Sequence, residues 1–261
     1  MKRRQLLGYL GTSALTAAAT VSFAQKTAAQ GNAGGLTVQW LGHTCFLFSG
    51  GGLRILLNPF QPSGCTAGYR PPQVEADLVL ISSRLLDEGA AGGLPGNPKV
   101  LFEPGVYQAD RTKIQGIGVP HDREGGRRFG VNVVWRWEQG GIDILHMGGA
   151  ASRIEFEQKI LMGTPDLALI PVGGGPKAYN AQEAKQAMEV LKPKVVIPTQ
   201  FRTQAADVNT CDLVAVDAFL ELTKDLDVRR LENNSLTLRS QDLPKQGTLI
   251  RVLSDRTLLK T

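Results

Sequence analysis

The segment Ala76–Glu88, ADLVLISSRLLDE, sets an apolar, β-branched run, Asp77–Ser82, directly before Ser83, Arg84, Leu85, Leu86, Asp87 and Glu88. The run has the composition of a strand buried on both faces. A polar loop at the end of such a strand is where sheet proteins place their chemistry. Two adjacent carboxylates there, with the imidazoles of His43, His121 and His146 elsewhere in the chain, are residue types that move protons or ligate a cation. Other chemistries are poorly served. Gly173-Gly174-Gly175-Pro176-Lys177 lacks the spacing and the hydroxyl of a phosphate loop. Cys45 lies near His43 at one strand start, with no acid to orient a thiol–imidazole pair.

The elements that must position these residues read as short strands interrupted by helices. Thr37–Trp40, Cys45–Phe48 and Leu53–Leu57 form the opening strands, joined by Leu41-Gly42-His43-Thr44 and by the Ser49-Gly50-Gly51-Gly52 turn. Val100–Phe102, Lys113–Val119, Val131–Trp137, Ile142–His146, Asp166–Pro171 and Val195–Pro198 follow, and two short strands close the chain. His121 falls in the loop after Pro120. Asn180 with Glu183 makes a capping-box start, and Ala184, Ala187, Met188 and Leu191 recur at helical spacing until Lys192-Pro193 ends the helix. Leu213–Lys224 predicts a second amphipathic helix. This distribution points to two sheets packed face to face with helices outside.

Five landmarks in order carry a family resemblance: the opening WLGHTCFLFSGGGLRILLNP, the loop SSRLLDE, the His121-Asp122 loop, the turn ILHMGGAAS and the segment Pro198–Thr203. Together they resemble the metallo-β-lactamase-fold proteins, in the branch similar to the ascorbate-phosphate lactonases. The resemblance implies an α/β fold, a four-layer αββα sandwich, and a paired zinc site at the positions of Ser83, Leu85, Asp87, Glu88, His121, Gly149 and Gln200. Only Asp87 and His121 keep the family's residue type. Asn58 stands where the family has an Asp that orients the ligand loop. Leu85 offers an isobutyl group, Gly149 no side chain and Gln200 a neutral amide, whereas zinc takes at least three donors from the protein.

Ligand counting therefore predicts a catalytically degenerate member with no cofactor, a non-hydrolytic binding or assembly factor. Its pocket candidates are Ser83, Arg84, Asp87, His121, Gln200 and Arg202, and its partner is a protein or a small anionic ligand. The alternative is a hydrolase of an ester, lactone or phosphodiester, either zinc-dependent with a reduced site at His121, Asp87 and Glu88, or metal-free and acting on an acid-labile ester or lactone. Arg84, Arg202, Arg127 and Arg128 either gather at the pocket mouth or are solvated surface residues. His43 and His146 read as structural, and Asp87 as a cap for the following turn.

The chain has 261 residues, 42% of them hydrophobic, enough for one large domain over 37–261. Its formal charge of +5 arises mostly from Lys2, Arg3, Arg4 and Lys26, which leave 25 basic residues against 24 acidic ones. No basic stripe interleaved with aromatics is present, which argues against nucleic-acid binding. Lys2-Arg3-Arg4-Gln5-Leu6-Leu7 followed by an uncharged stretch to Gln25 reads as a twin-arginine export signal over 1–29, with a flexible linker at 30–36. It directs the chain to a periplasm, or to a thylakoid lumen in a photosynthetic source, with membrane contact only where the signal stays uncleaved. Cys45, Cys65 and Cys211 allow at most one internal disulfide.

Overall fold

Period-two alternation of apolar residues builds the first sheet. β1 (Leu36–Gly42), β2 (Cys45–Gly50) and β3 (Leu53–Leu57) form an antiparallel meander, to which β4 (Leu78–Leu80) and β5 (Lys99–Leu101) add in parallel. Phe46, Phe48, Ile55, Leu57, Leu78 and Leu80 point into the main core. Cys45, Leu47, Leu56, Val79 and Ile81 point the other way, into a smaller core covered by Phe60, Tyr69 and Leu94 from loops. Both faces are buried, which is why the strand before Ser83 reads as continuously apolar. This computed structural model describes residues 34–260, so the expected export segment and the first residues of the expected linker lie outside the described residues.

The second sheet takes β6 (Gly105–Ala109), β7 (Thr112–Pro120), β8 (Val131–Gln139), β9 (Ile142–His146), β10 (Leu167–Pro171), β11 (Val195–Thr199) and β12 (Asp227–Arg230). β13 (Ser235–Leu238) crosses to pair antiparallel with β1, and β14 (Leu249–Val252) returns to the second sheet. The strand orders are β13-β1-β2-β3-β4-β5 and β12-β14-β11-β10-β9-β8-β7-β6. Trp135, Trp137, Ile144, Leu169 and Ile197 of the second sheet meet the phenylalanines of the first in one core.

Three α-helices are present among the described residues: α1 (Phe156–Met162), α2 (Ala181–Leu191) and α3 (Asp217–Leu222). α2 starts as the sequence requires. The Asn180 side chain accepts from Glu183 N at 2.9 Å and Glu183 Oε2 accepts from Asn180 N at 2.8 Å. Its Ala184, Ala187, Met188 and Leu191 are buried, and it packs on β10 and α3. The helix expected over Leu213–Lys224 is shorter. Val214 N donates to Gly173 O and Arg202 N to Val214 O, and these bonds keep 213–215 out of the helix, which starts after its N-cap Val216. α1 has no legible apolar stripe, because Phe156, Ile160 and Leu161 face solvent.

Cys65 and Cys211 are joined across 146 residues. The bond fastens the loop after β3 to the loop after β11, where Gly68 N also donates to Ala205 O at 2.7 Å. Closing so long a loop stabilises chiefly by restricting the unfolded chain. Reduction of the bond, or a Cys65→Ser/Cys211→Ser double replacement, is expected to lower unfolding free energy by about 2–5 kcal/mol. Urea denaturation with and without reductant checks this; an unchanged midpoint would refute it.

Candidate functional site

β3, β4, β7, β9, β10 and β11 all end at one edge of the two-sheet stack, and the loops after them converge there, as crevices at carboxyl strand ends do in α/β sheets. Asn58, just past β3, takes Ser82 N on its Oδ1 at 2.8 Å and so fixes the path after β4. Val133 N donates to Ser82 O at 2.7 Å and Trp135 Nε1 to Ile81 O at 3.1 Å, tying this path to β8 of the other sheet. Asn132 of β8 bonds Met147 O and Gly149 N at 2.8 and 3.0 Å, holding the turn after β9. Asp122 accepts four backbone N–H groups, from Glu124, Gly126, Arg128 and Phe129, and thereby shapes the loop beside His121.

At the centre Glu88 and His121 are both fully buried, with Glu88 Oε2 3.4 Å from His121 Nε2. Ser83 Oγ donates to Oε2 at 2.8 Å and Gln200 Nε2 to Oε1 at 3.2 Å. The histidine contact is one of charge rather than aligned hydrogen bonding, for neither ring nitrogen of His121 has a protein hydrogen-bond partner. Burial alone would raise the Glu88 carboxyl. The His121, Lys177 and His43 charges outweigh it and hold the group well below the usual carboxylate range. Further unpartnered buried polar atoms, on His43, Thr44, Asn58, Ser82, Thr199 and Gln200, lie at the same strand ends. His43, Asn58 and Gln200 also hold positive φ of 54°, 45° and 48°. Such strain persists only where the surroundings impose it, and it clusters at functional sites.

Of the residues marked from sequence, Ser83, Glu88, His121, Gln200 and Gly149 come together. Asp87 does not cap its turn; its carboxylate pairs with Lys177 and lies 3.8 Å from His43 Nε2. Leu85 turns away and contributes its carbonyl to Glu88 N and Gly89 N. The arginines do not form a cluster: Arg84 stacks on Phe102 at 5.4 Å and Arg128 on Phe129 at 4.8 Å. Arg202 is exposed, and its backbone N–H bonds Val214 O. Sequence reasoning missed Lys177, whose ammonium lies 5.8 Å over Phe129, while the Phe129 ring is edge-on to His121 at 6.1 Å. The available signal was its place in the loop directly after the buried strand β10.

A sequence model of the β-lactamase superfamily domain matches residues 37–200. The chain belongs to the metallo-β-lactamase superfamily. A relative from Thermococcus onnurineus, named UPF0173 metal-dependent hydrolase, is 30% identical over 195 residues, 64% of this chain and 84% of the relative. One of the same name from Thermoplasma acidophilum is 23% identical over 209 residues, 70% and 87% of the two chains. A crystal structure from Thermotoga maritima, assigned to the Zn-dependent hydrolases of the metallo-β-lactamase superfamily, is 29% identical. It superposes with a TM-score of 0.66 over 84% of this chain and 98% of that one. These relatives overturn the expectation of a non-hydrolytic binding or assembly factor, since proteins matching most of the fold carry a hydrolase name. Their name also implies a metal for those relatives, against the expectation that no cofactor enters.

In this member of the superfamily His146, at the end of β9, is fully buried and neutral by geometry. Its Nε2 donates to Thr44 O at 3.1 Å and its Nδ1 accepts from Gly148 N at 3.1 Å. Burial lowers its pKa from 6.5 to about 4, against the opposing effects of Thr44 O and Glu88. The unfolded chain binds a proton below 6.5 that the folded chain refuses until about 4. Stability therefore falls as pH drops through that window, by about 3 kcal/mol from this group. The buried His43, also lowered, acts in the same sense. Glu88 has the opposite shift: its contribution is complete above pH 4.5 and is lost only as pH falls below that toward about 2. Urea midpoints measured between pH 7 and 4 should fall steadily in wild type and less steeply in His146→Gln. Equal slopes would remove His146 as the cause.

Proposed function

We propose that this chain is a hydrolase that opens an ester, lactone or phosphodiester, with Glu88 and His121 as its working pair. The observation that carries the reading is this pair, buried at the strand ends of a fold whose matched relatives bear a hydrolase name. The lactone is favoured within the class by the resemblance of the five sequence landmarks to the lactonase branch.

The relatives' name brings a divalent metal, zinc above all, into the question. The donors present do not fit one. Among the described residues no three of His, Cys, Asp and Glu meet around one point, and zinc takes at least three such donors. The trio Asp87, Glu88 and His121 is not assembled, because Asp87 is bound to Lys177, and Gln200 presents its amide nitrogen to Glu88. No step is therefore derived through a metal.

The residues present do acid catalysis. His121, set 3.4 Å from Glu88, donates a proton to the leaving oxygen as water attacks the acyl carbon or phosphorus. The bond to that oxygen breaks, the leaving group departs as an alcohol, and the proton shed by the attacking water returns to the imidazole. Glu88 holds and orients the ring and stays ionised, its carboxyl kept well below the usual carboxylate range in spite of burial. A general acid contributes about 100- to 10,000-fold. On a panel of lactones, aryl esters and phosphodiesters, His121→Ala and Glu88→Gln are expected to lose at least about 100-fold in kcat/KM, with the exposed Lys245→Ala unchanged. A panel on which wild type turns over nothing more than His121→Ala sinks the reading.

Export belongs to the same proposal. The Lys2-Arg3-Arg4 start and the Cys65–Cys211 bond, of a kind that persists in oxidising compartments, support it. Replacing Arg3 and Arg4 by Lys should leave the chain in the cytoplasmic fraction with both cysteines reduced; unaltered fractionation would rule out the twin-arginine route.

A further inference from the structure

We propose that two acid–base side-chain pairs at the strand ends, Glu88–His121 and Asp87–Lys177, stand in this chain in the place of a bound cation, and that Gly149 is the residue that makes room for the first of them. The inference rests on the hydrolytic reading of the site only for where such a cation would sit. Glu88 and Asp87 each have a basic side chain as partner. His121 lies 3.4 Å from Glu88, and the Lys177 ammonium is in contact with Asp87. Both oxygens of Glu88 also accept a hydrogen bond, one from Ser83 Oγ and the other from Gln200 Nε2. A cation entering here would have to displace donors that are already seated.

Gly149 supplies the independent observation. Its φ is outside the left-handed region, so its backbone conformation does not call for glycine. Space does. A Cβ built on it would lie 2.5 Å from His121 Nε2 and closer still to Glu88 Oε1, with the Glu88 carboxyl carbon at 3.1 Å. Those atoms have little freedom to retreat, because both residues are fully buried. The smallest possible side chain at this position is incompatible with the pair where it stands. The absence of a side chain at 149 and the presence of the pair are one arrangement.

The test uses the full folded chain and zinc alone. After dialysis against zinc and gel filtration, metal analysis should find well under about one-tenth equivalent per chain, and 100 µM zinc should move Tm by less than about 1 °C. A site with Kd near 1 µM would raise Tm by several degrees at that concentration. Stoichiometric zinc surviving filtration, or such a rise, overturns the inference. Gly149→Ala should lower Tm by about 5 °C or more, whereas Gly92→Ala, which meets nothing within 4 Å, should leave it unchanged. Equal Tm values for Gly149→Ala and wild type would also overturn it. Failure here is separable from failure of the hydrolase reading: zinc uptake removes the inference whatever the turnover, and absent turnover without zinc uptake removes only the hydrolase.

Discussion

A carboxylate and an imidazole share a space that solvent does not reach, 3.4 Å apart, and the rest of the site is arranged around the cost of keeping them there. Taking such groups out of water costs several kcal/mol each, which mutual attraction recovers only with good geometry and further hydrogen bonds. The chain meets the demand from several loops at once. Ser83 comes from the end of β4, His121 from the end of β7, Lys177 from the loop after β10 and Gln200 from the end of β11. No single loop sets the geometry. The register of the two sheets does, through bonds such as Val133 N to Ser82 O that cross from one to the other.

This dependence explains why asparagines recur in supporting positions. Asn58 and Asn132 each present an amide where a loop must be held without adding charge. In a space that already contains two acids and their basic partners, a further carboxylate would have raised the cost of burial. A neutral amide gives the same directional bonds and leaves the balance untouched. Asp122 shows the contrast: its carboxylate is tolerated because four backbone N–H groups of its own loop surround it.

Much of the fold was legible because burial on both faces leaves a strong trace. The first sheet's strands, the β8–β9 hairpin and the capped start of α2 follow from alternation, turn glycines and the Asn180–Glu183 spacing. α1 was not legible, since its apolar residues lie on the solvent side, and the second half-helix failed where backbone bonds to Gly173 and Arg202 outbid helical ones. In the site, the positions could be named but not their partners. Glu88 stood out only as an acid beside Asp87, and nothing local says that one turns inward to His121 while the other turns to a lysine 90 residues away. Such pairings are properties of strand order, which a single sequence does not state.

The packing at Gly149 has an evolutionary side. Once two side chains have moved into the volume beside a glycine, any mutation that restores a side chain there meets an occupied space before it can do anything useful. Reversal then needs several changes together, each harmful alone. A lineage that has taken this step is held on the far side of it by a steric ratchet, whatever selection later asks of its active centre.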